Sequence, residues 1–293
     1  MCSVLGAPAL AAEISPLSFI KYNPSGEAGT DLRFSFQDGI APGRNLEERF
    51  DFMEEYGIEG FEPLGTDIIN NVSKYQKLLR YRNIKISAVQ SGYKGFVSSV
   101  NPVIRNENKV ILKEIIASAG ELGSTGVIII PATRGPVTGS FTSSDIYKPA
   151  IDQLIELAEF AAKQNTTVIL EPVNRKEAYC FNTVAQTAEI CRSINLKGLR
   201  CMGDFWHMAS EEVSDMEAFV SGGEYLNHVH IASRKTRYLP GTDILHDDYT
   251  EGFKGLKKIK YSGYISFKCG ISGDKSILIP LSINLIRRQW QSS

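Results

Sequence analysis

Four short apolar runs in the second half of the chain each end at or beside an ionisable residue. These residues are Glu171, Asp204, His230 and Lys268. Two carboxylates and one imidazole form an oxygen, oxygen, nitrogen set that suits a divalent cation such as Mn, Mg, Co or Zn. A buried carboxylate is costly unless it is paired, hydrogen-bonded or bound to a cation. Hydrogen bonds to loop amides remain an alternative for Glu171 alone, but the recurrence of the pattern favours a shared site.

The run from Thr166 to Leu170 shows how such a residue is positioned. It is apolar on both faces, which is typical of a central strand in a parallel sheet with helices on both sides. Side chains alternate along a strand, so Glu171 shares a face with Ile169, while Leu170 points the other way. Pro172 lacks a backbone donor and predicts the end of the strand.

Strands of this kind alternate with helices along the whole chain. The predicted strands span residues 31–38, 58–62, 84–92, 126–131, 166–170, 199–204, 226–231 and 264–268. The predicted helices span residues 46–56, 68–82, 106–122, 143 or 144 to 164, 182–194, 211–221, 249–260 and 276–291. Eight such units predict the α/β class and a single (β/α)8 TIM barrel, which typically needs roughly 250 residues. A doubly wound sheet would normally carry a G-x-G-x-x-G turn, and Gly39 and Gly43 lack that spacing. We therefore expect no nucleotide cofactor.

In a barrel, the C-terminal ends of the strands surround one mouth, where active sites lie. Further polar residues at or after the same strand ends are Glu62, Glu177, His207, Arg234 and Arg237. His207 follows Asp204 by three residues, so it is either a substrate hydrogen-bond partner or a surface histidine. His228 lies two residues before His230 and one layer deeper, which indicates a core histidine.

Composition excludes several classes of partner. The chain has 293 residues and a formal net charge of −1, which is ample for a sizeable core. The near-neutral balance and the lack of a basic run argue against nucleic acid. The five cysteines form no C-x-x-C pair and fit reduced structural thiols. No apolar run reaches the roughly 18–20 residues that a membrane span needs.

The N-terminus allows two interpretations. Residues 4–12 are small and apolar, and Ala9-Leu10-Ala11 fits a signal-peptide cleavage site, yet no Lys or Arg precedes Lys21. Residues 1–13 are therefore either the remnant of an export signal or a disordered terminus, and residues 14–293 are assigned to the barrel. Localisation stays open between the cytoplasm and an exported form.

Several motifs resemble those of the xylose isomerase-like TIM-barrel superfamily, in the branch that contains the D-tagatose and D-psicose 3-epimerases. The most specific is Leu170-Glu171-Pro-Val-Asn-Arg-Lys-Glu177, which resembles L-E-x-x-N-R-x-E. The others are Asp204-Phe-Trp-His207, His228-Val-His230 and Arg237-Tyr-Leu-Pro-Gly241, which resemble D-x-x-H, H-x-H and R-x-P-P-G. The match extends from about residue 34 to residue 270. The spacing from His230 to Arg237 is one residue longer than in the family, which makes Arg234 a competitor for the same role.

The resemblance implies roles for these residues. The implied divalent-metal ligands are Glu171, Asp204 and His230, and Glu171 is also the implied proton-transferring base. The predicted substrate contacts are Glu177, His207, Arg237 and, from its strand-end position, Glu62. The implied activity is that of a sugar isomerase or epimerase, with proton transfer next to the carbonyl of a ketose or related carbohydrate. A homo-oligomer is compatible with the sequence.

The chain departs from the family at the eighth strand. The family places there a Glu that is both the fourth metal ligand and the second acid–base group, whereas this chain has Lys268. We predict that the Lys268 ammonium takes the place of the cation and also belongs to the catalytic set. The alternative is that Lys268 turns outward along the rim and leaves a three-ligand metal site. Two functional alternatives follow: a lyase or dehydratase of the same superfamily, or a degenerate sugar-binding barrel without turnover.

Overall fold

Short parallel strands form one sheet at the centre of the computed structural model, which describes residues 32–92, 97–131 and 143–293. Within these residues the strands are β1 (Arg33–Gln37), β2 (Gly60–Glu62), β3 (Lys85–Ile86), β4 (Val89–Gln90), β5 (Val127–Ile129), β6 (Val168–Leu170), β7 (Leu199–Asp204), β8 (Leu226–Ile231) and β9 (Tyr264–Phe267). Their order in the sheet is β3-β2-β1-β9-β8-β7-β6-β5-β4. The candidate leader residues 1–13, with Cys2, lie outside the described part of the chain.

The sheet closes into a barrel because β3 and β4 are two halves of the third predicted strand. β3 pairs with β2, and β4 pairs with β5 on the other side. The backbone amide of Gln90 donates to the carbonyl of Pro63 at 3.0 Å, and Leu64 forms a parallel bridge with Gln90. The predicted (β/α)8 barrel is confirmed. The third strand is broken at its centre, a detail that the sequence did not indicate.

Helices connect the strands on the outside of the barrel. In the described residues they are α1 (Leu46–Glu55), α2 (Gly65–Ile68), α3 (Val72–Leu79), α4 (Pro102–Glu121), α5 (Ser143–Lys163), α6 (Val184–Ile194), α7 (Phe205–Glu211), α8 (Asp215–Gly222), α9 (Thr250–Lys258) and α10 (Lys275–Ser292), with a 3-10 turn at Gly223–Tyr225. None of these helices is both long and apolar enough to cross a membrane.

Two predicted helices start later in the structure than predicted, and a separate short helix precedes each of them. The predicted helix 68–82 is divided at Asn71, whose side-chain amide donates to the carbonyl of Asp67 at 2.9 Å. The predicted helix 211–221 is preceded by the unpredicted α7, which starts directly at the end of β7. Asp204 is the N-cap of α7 and accepts a hydrogen bond from the amide of Trp206 at 2.9 Å. One carboxylate oxygen of Asp204 is therefore fixed by the helix, and the other remains for the site.

The alternation predicted for β6 is confirmed by its packing. Val168 and Leu170 belong to the large apolar core shared with the helices, whereas Ile169 packs with Ala88, Ile128 and Met202 in a separate buried cluster. The face of Ile169 is the face that continues to Glu171. The chain thus directs Glu171 away from the helices and towards the other strand ends. The cysteines in the described residues are free thiols, as expected.

Candidate active site

The ammonium of Lys268 lies between two buried carboxylates at the C-terminal end of the barrel. The backbone amide of Lys268 donates to the carbonyl of Ile231 at 3.1 Å, which extends the ladder of β8 and β9 and fixes its Cα position. Nζ donates to Oε1 of Glu171 and lies 3.4 Å from Oδ2 of Asp204. Only 8% of Lys268 is exposed. Lys268 therefore points into the site, and the alternative in which it turns outward along the rim is wrong.

His230 joins this pair of carboxylates to a deeper one. Its Nδ1 lies 3.0 Å from Oε1 of Glu171 and 3.7 Å from Oδ2 of Asp204. Its Nε2 lies 3.0 Å from Oε2 of Glu62. Each ring nitrogen therefore faces a carboxylate acceptor, and a ring that donates from both nitrogens is an imidazolium. Burial alone would lower the pKa of His230, but the carboxylates of Glu62, Glu171 and Asp204 together outweigh burial and raise that pKa to about 10.

Glu62 lies below the mouth and has no exposed surface. Its carboxylate accepts from Nε2 of Gln37 at 2.8 Å and faces Nε2 of His228 at 3.0 Å, in addition to His230. Burial raises the pKa of Glu62, but His230 and His228 together hold it well below its usual range. The predicted substrate contact of Glu62 stays a prediction, and these contacts favour a positioning role. His228 lies in the core, as expected, but only its Nε2 is bonded, and its Nδ1 has no hydrogen-bond partner among the described residues.

The charge state of the mouth follows from the same contacts. Burial raises the pKa of both Glu171 and Asp204, but Lys268 and His230, joined at Asp204 by His207, together outweigh burial and lower both pKa values. The same pairing raises the pKa of Lys268 against the opposing effect of burial. Both carboxylates are consequently ionised and Lys268 is protonated at neutral pH. An ionised carboxylate has a lone pair that can accept a proton.

His207 presents an unused donor to this group. The amide of Asn174 donates to Nδ1 at 3.2 Å, so the ring proton is on Nε2. Among the described residues Nε2 has no hydrogen-bond partner, and it lies 3.8 Å from Oδ2 of Asp204. Burial lowers the pKa of His207, which keeps the ring neutral at pH 7. A buried N–H without an acceptor is costly, and a ligand hydroxyl would satisfy it.

Arg237, rather than Arg234, points to the mouth. Its guanidinium lies 4.1 Å from the ring centroid of Trp206, and its Nη1 lies 3.2 Å from Oε1 of Glu177. Arg234 instead pairs with Asp215 on α8. The loop spacing left Arg234 and Arg237 as candidates for the same substrate contact, and the structure places only Arg237 beside the mouth.

The backbone at Arg237 is held in an uncommon conformation. Its φ is 60°, in the left-handed region, which costs a non-glycine residue of the order of 1 kcal/mol. Its amide donates to the carbonyl of Ser233 at 3.0 Å, and its carbonyl accepts from the amide of Gly270 at 2.9 Å. These two hydrogen bonds anchor the loop to the segment that follows β9 and fix the direction of the guanidinium.

Within the part of the chain that the structure describes, two groups of side chains have the composition of a metal site. Donor atoms of Glu171, Asp204 and His207 lie within 4.8 Å of one another, and so do those of Glu62, His228 and His230. The set predicted from sequence, with His230 in place of His207, is also close-packed, because Nδ1 of His230 faces both upper carboxylates. A divalent cation does not fit this set while Lys268 is in place. Its ammonium already lies between the same two carboxylates, where a cation would bind, and its positive charge would repel a metal ion.

Similarity to known proteins agrees with this geometry. The family model described as "Xylose isomerase-like TIM barrel" matches residues 50–278. The chain belongs to this family. The predicted family membership is therefore confirmed.

Individual relatives are epimerases by name. The 3-dehydro-D-guloside 4-epimerase of Escherichia coli is 29% identical over 231 residues, which cover 76% of this chain and 87% of that protein. The ketose 3-epimerase of Arthrobacter globiformis is 29% identical over 194 residues, 63% of this chain and 62% of that protein. The crystal structure of the 3-keto-D-glucoside 4-epimerase from E. coli has a TM-score of 0.80 at 27% identity and covers 88% of this chain and 100% of that one.

The structure brings Glu171, Asp204, His207, His230 and Lys268 into one group, and places Glu177 and Arg237 together beside Trp206. Sequence reasoning missed Asn174, which fixes the ring of His207. A signal for it was present, because Asn174 is the Asn of the L-E-x-x-N-R-x-E segment. It also missed Glu62 as the partner of His230, for which the sequence offered no signal beyond the strand end.

Proposed function

We propose that this protein is a sugar isomerase or epimerase that moves a proton next to the carbonyl of a small ketose or keto sugar. The single observation that carries the proposal is the ionised carboxylate of Glu171, which is buried at the C-terminal end of the barrel beside a cation of the protein. The names of the relatives, sugar 4-epimerases and ketose 3-epimerases, support the substrate class.

The chemistry assigned to Glu171 is removal of a carbon-bound proton. The carboxylate takes a proton from the carbon next to the carbonyl, the C–H electron pair forms a C=C bond, and the carbonyl π pair moves to oxygen. The resulting enolate oxygen is stabilised by a nearby positive charge. Return of a proton to the opposite face of the same carbon restores the carbonyl and gives an epimer. For an isomer, the proton returns to the former carbonyl carbon, the hydroxyl of the first carbon loses its proton to become the new carbonyl, and the enolate oxygen takes up that proton to become a hydroxyl.

Substrate binding is assigned to the groups around that carboxylate. The Nε2–H of His207 donates to a substrate hydroxyl, which satisfies the donor that lacks a protein acceptor. Arg237 and Glu177 offer a donor and an acceptor at the rim, and the face of Trp206 lies against Arg237. Several alternating donors and acceptors suit a ligand with several hydroxyls better than an apolar one.

The proposal is tested by incubating the purified protein with a panel of ketoses and 3-keto glycosides and following the products by NMR. We expect an epimer or isomer from at least one member, and a loss of roughly 10²–10⁴-fold in turnover in Glu171→Gln. Glu156→Gln is the matched control, because Glu156 also pairs with lysines, Lys109 and Lys113, but on the outer helices. Turnover that is unchanged by Glu171→Gln would overturn the proposal. An unsaturated product would instead indicate the lyase chemistry that begins with the same proton removal.

A further inference from the structure

The cluster around Lys268 contains its own positive charges. Three carboxylates, those of Glu62, Glu171 and Asp204, are at most 1% exposed. The ammonium of Lys268 lies against two of them, Glu171 and Asp204, and both ring nitrogens of the buried His230 face carboxylate oxygens. Lysine is protonated at neutral pH at its ordinary pKa, so the positive charge of Lys268 requires no unusual titration. The ammonium of Lys268 therefore already neutralises part of the negative charge that would otherwise attract a metal ion.

The position of the ammonium matters as much as its charge. Nζ contacts Oε1 of Glu171 and lies 3.4 Å from Oδ2 of Asp204, so it lies between the two oxygen atoms that a cation would need. Oδ1 of Asp204 is engaged by the N-terminus of α7. A divalent ion would therefore compete with Lys268 for the same oxygens and would be repelled by its charge.

Lys268 has little freedom to leave. Its Cα is fixed by the ladder hydrogen bond to Ile231, and its side chain is 9% exposed. A lysine at a barrel rim would normally extend its ammonium into water. Here the ammonium is directed inward, which costs desolvation energy and is compensated by the two carboxylates.

We propose that Lys268 is the resident cation of this active site, and that the protein binds no divalent metal there. Resting on the function proposed above, the second part of the inference is that the ammonium donates to the substrate carbonyl oxygen. Transfer of this hydrogen bond from Glu171 to the substrate would place the cation on the developing enolate and release the carboxylate to act as base. No metal ion is required for either event.

The first experiment measures metal binding without any sugar. The purified protein is treated with a chelator, dialysed, and titrated with MnCl2 and then CoCl2 by calorimetry at neutral pH. We expect no saturable binding in the parent protein. Saturable binding of one metal ion per chain to the parent protein would overturn the inference, whatever metal affinity the variants show.

The second experiment tests whether Lys268 is the residue that prevents metal binding. Lys268→Glu restores a carboxylate at this position and should gain roughly 100-fold or more in Mn affinity, because it removes the competing charge and adds a ligand. The matched control is Lys275→Met, since Lys275 follows the same strand but contacts the carbonyl of Gly39. A Lys268→Glu protein that folds and still does not bind Mn would contradict the assignment of Lys268 as the competing cation.

Thermal unfolding measures metal binding even if the Lys268→Glu variant is less stable than the parent. A ligand that binds only the native state raises the midpoint of unfolding. MnCl2 should therefore raise the midpoint of Lys268→Glu and leave the parent unchanged. These readouts require no substrate, so failure to find a sugar substrate would refute the proposed function without affecting the metal result. Conversely, turnover that is lost in chelator and restored by Mn would refute the inference while supporting the function.

Discussion

Glu62 and Glu171 come from nearly the same local sequence and have different environments. Glu62 ends β2 and Glu171 directly follows β6, each is followed by proline, and each contacts His230. Glu62 is enclosed by the fully buried His228 and His230 and by the partly buried Gln37 at the end of β1. Glu171 shares His230 but has a lysine on its other side. The role of a carboxylate at this position is therefore decided by its partners from distant strands. The local sequence motif at the strand end does not decide it.

The comparison also has an energetic side. The partners of Glu62 are largely hidden from solvent, so it contributes mainly to stability and to the orientation of His230. The partner of Glu171 is the ammonium of Lys268 at the mouth, which is close enough to a bound substrate to exchange a hydrogen bond without leaving the site. We expect changes at Glu62 to affect folding more than turnover, and changes at Glu171 to affect turnover more than folding.

The largest effect on stability is expected from Lys268→Met. This change leaves the carboxylates of Glu171 and Asp204 without their ammonium, and breaking a buried ion pair typically costs about 3–5 kcal/mol. Urea unfolding in the presence of a chelator measures the loss. Lys275→Met should change the free energy of unfolding by less than about 0.5 kcal/mol. Equal stability of the two variants would mean that Lys268 does not neutralise the cluster.

A smaller loss is expected from Glu62→Gln. The amide keeps the shape but loses the charge that faces His230, at a cost of about 1–3 kcal/mol. The pKa of Glu62 is lowered in the folded protein, so its contribution is fully present above the ordinary carboxyl pKa of 4.5 and is lost as pH falls below it. Unfolding measured from pH 7 to pH 3 should therefore show a shallower acid decline in the variant. A parallel decline would show that Glu62 is not the charged partner described here.

His207→Ala is expected to weaken sugar binding by about 1–3 kcal/mol, because it removes a buried donor assigned to a substrate hydroxyl. Calorimetry with a substrate found in the panel, or with a non-reacting analogue, measures this. His246→Ala serves as the control, since His246 is half exposed and pairs with Asp243 in a surface loop. Binding that is equally insensitive to both changes would remove His207 from the site.

The smallest effect separates the two arginines. Arg237→Ala removes a cation above Trp206 and a partly exposed ion pair with Glu177, and should weaken binding by about 0.5–1 kcal/mol. Arg234→Ala should leave binding unchanged and lower the free energy of unfolding, because Arg234 pairs with the buried Asp215. If Arg234→Ala weakened sugar binding and Arg237→Ala did not, the substrate contact at the rim would belong to Arg234.

Much of the site is predictable from sequence because parallel strands of a barrel end at one mouth. That rule places Glu171, Asp204, His230 and Lys268 together without any knowledge of the loops. Periodicity and capping residues also locate most helices to within a few residues, as for α1 and α6.

Contacts between distant strands are not predictable in the same way. Glu62 meets His228 and His230 across 166 and 168 residues of chain, and no local pattern encodes that pairing. The short helix α7 was missed because it starts at the last residue of a strand, where Asp204 serves as both cap and site residue. The inward direction of Lys268 depends on the carboxylates opposite it, so sequence alone left two orientations open.

Exchange of a carbon-bound proton with solvent tests the central claim most directly. In D2O, the parent should introduce deuterium at the carbon next to the carbonyl of its substrate, measured by NMR before the reaction reaches equilibrium. Glu62→Gln should retain most of this exchange, and Glu171→Gln should reduce it to the background of the sugar alone. Exchange that continues at the parent rate in Glu171→Gln would contradict the assignment of Glu171 as the base and, with it, the distinction between the two carboxylates.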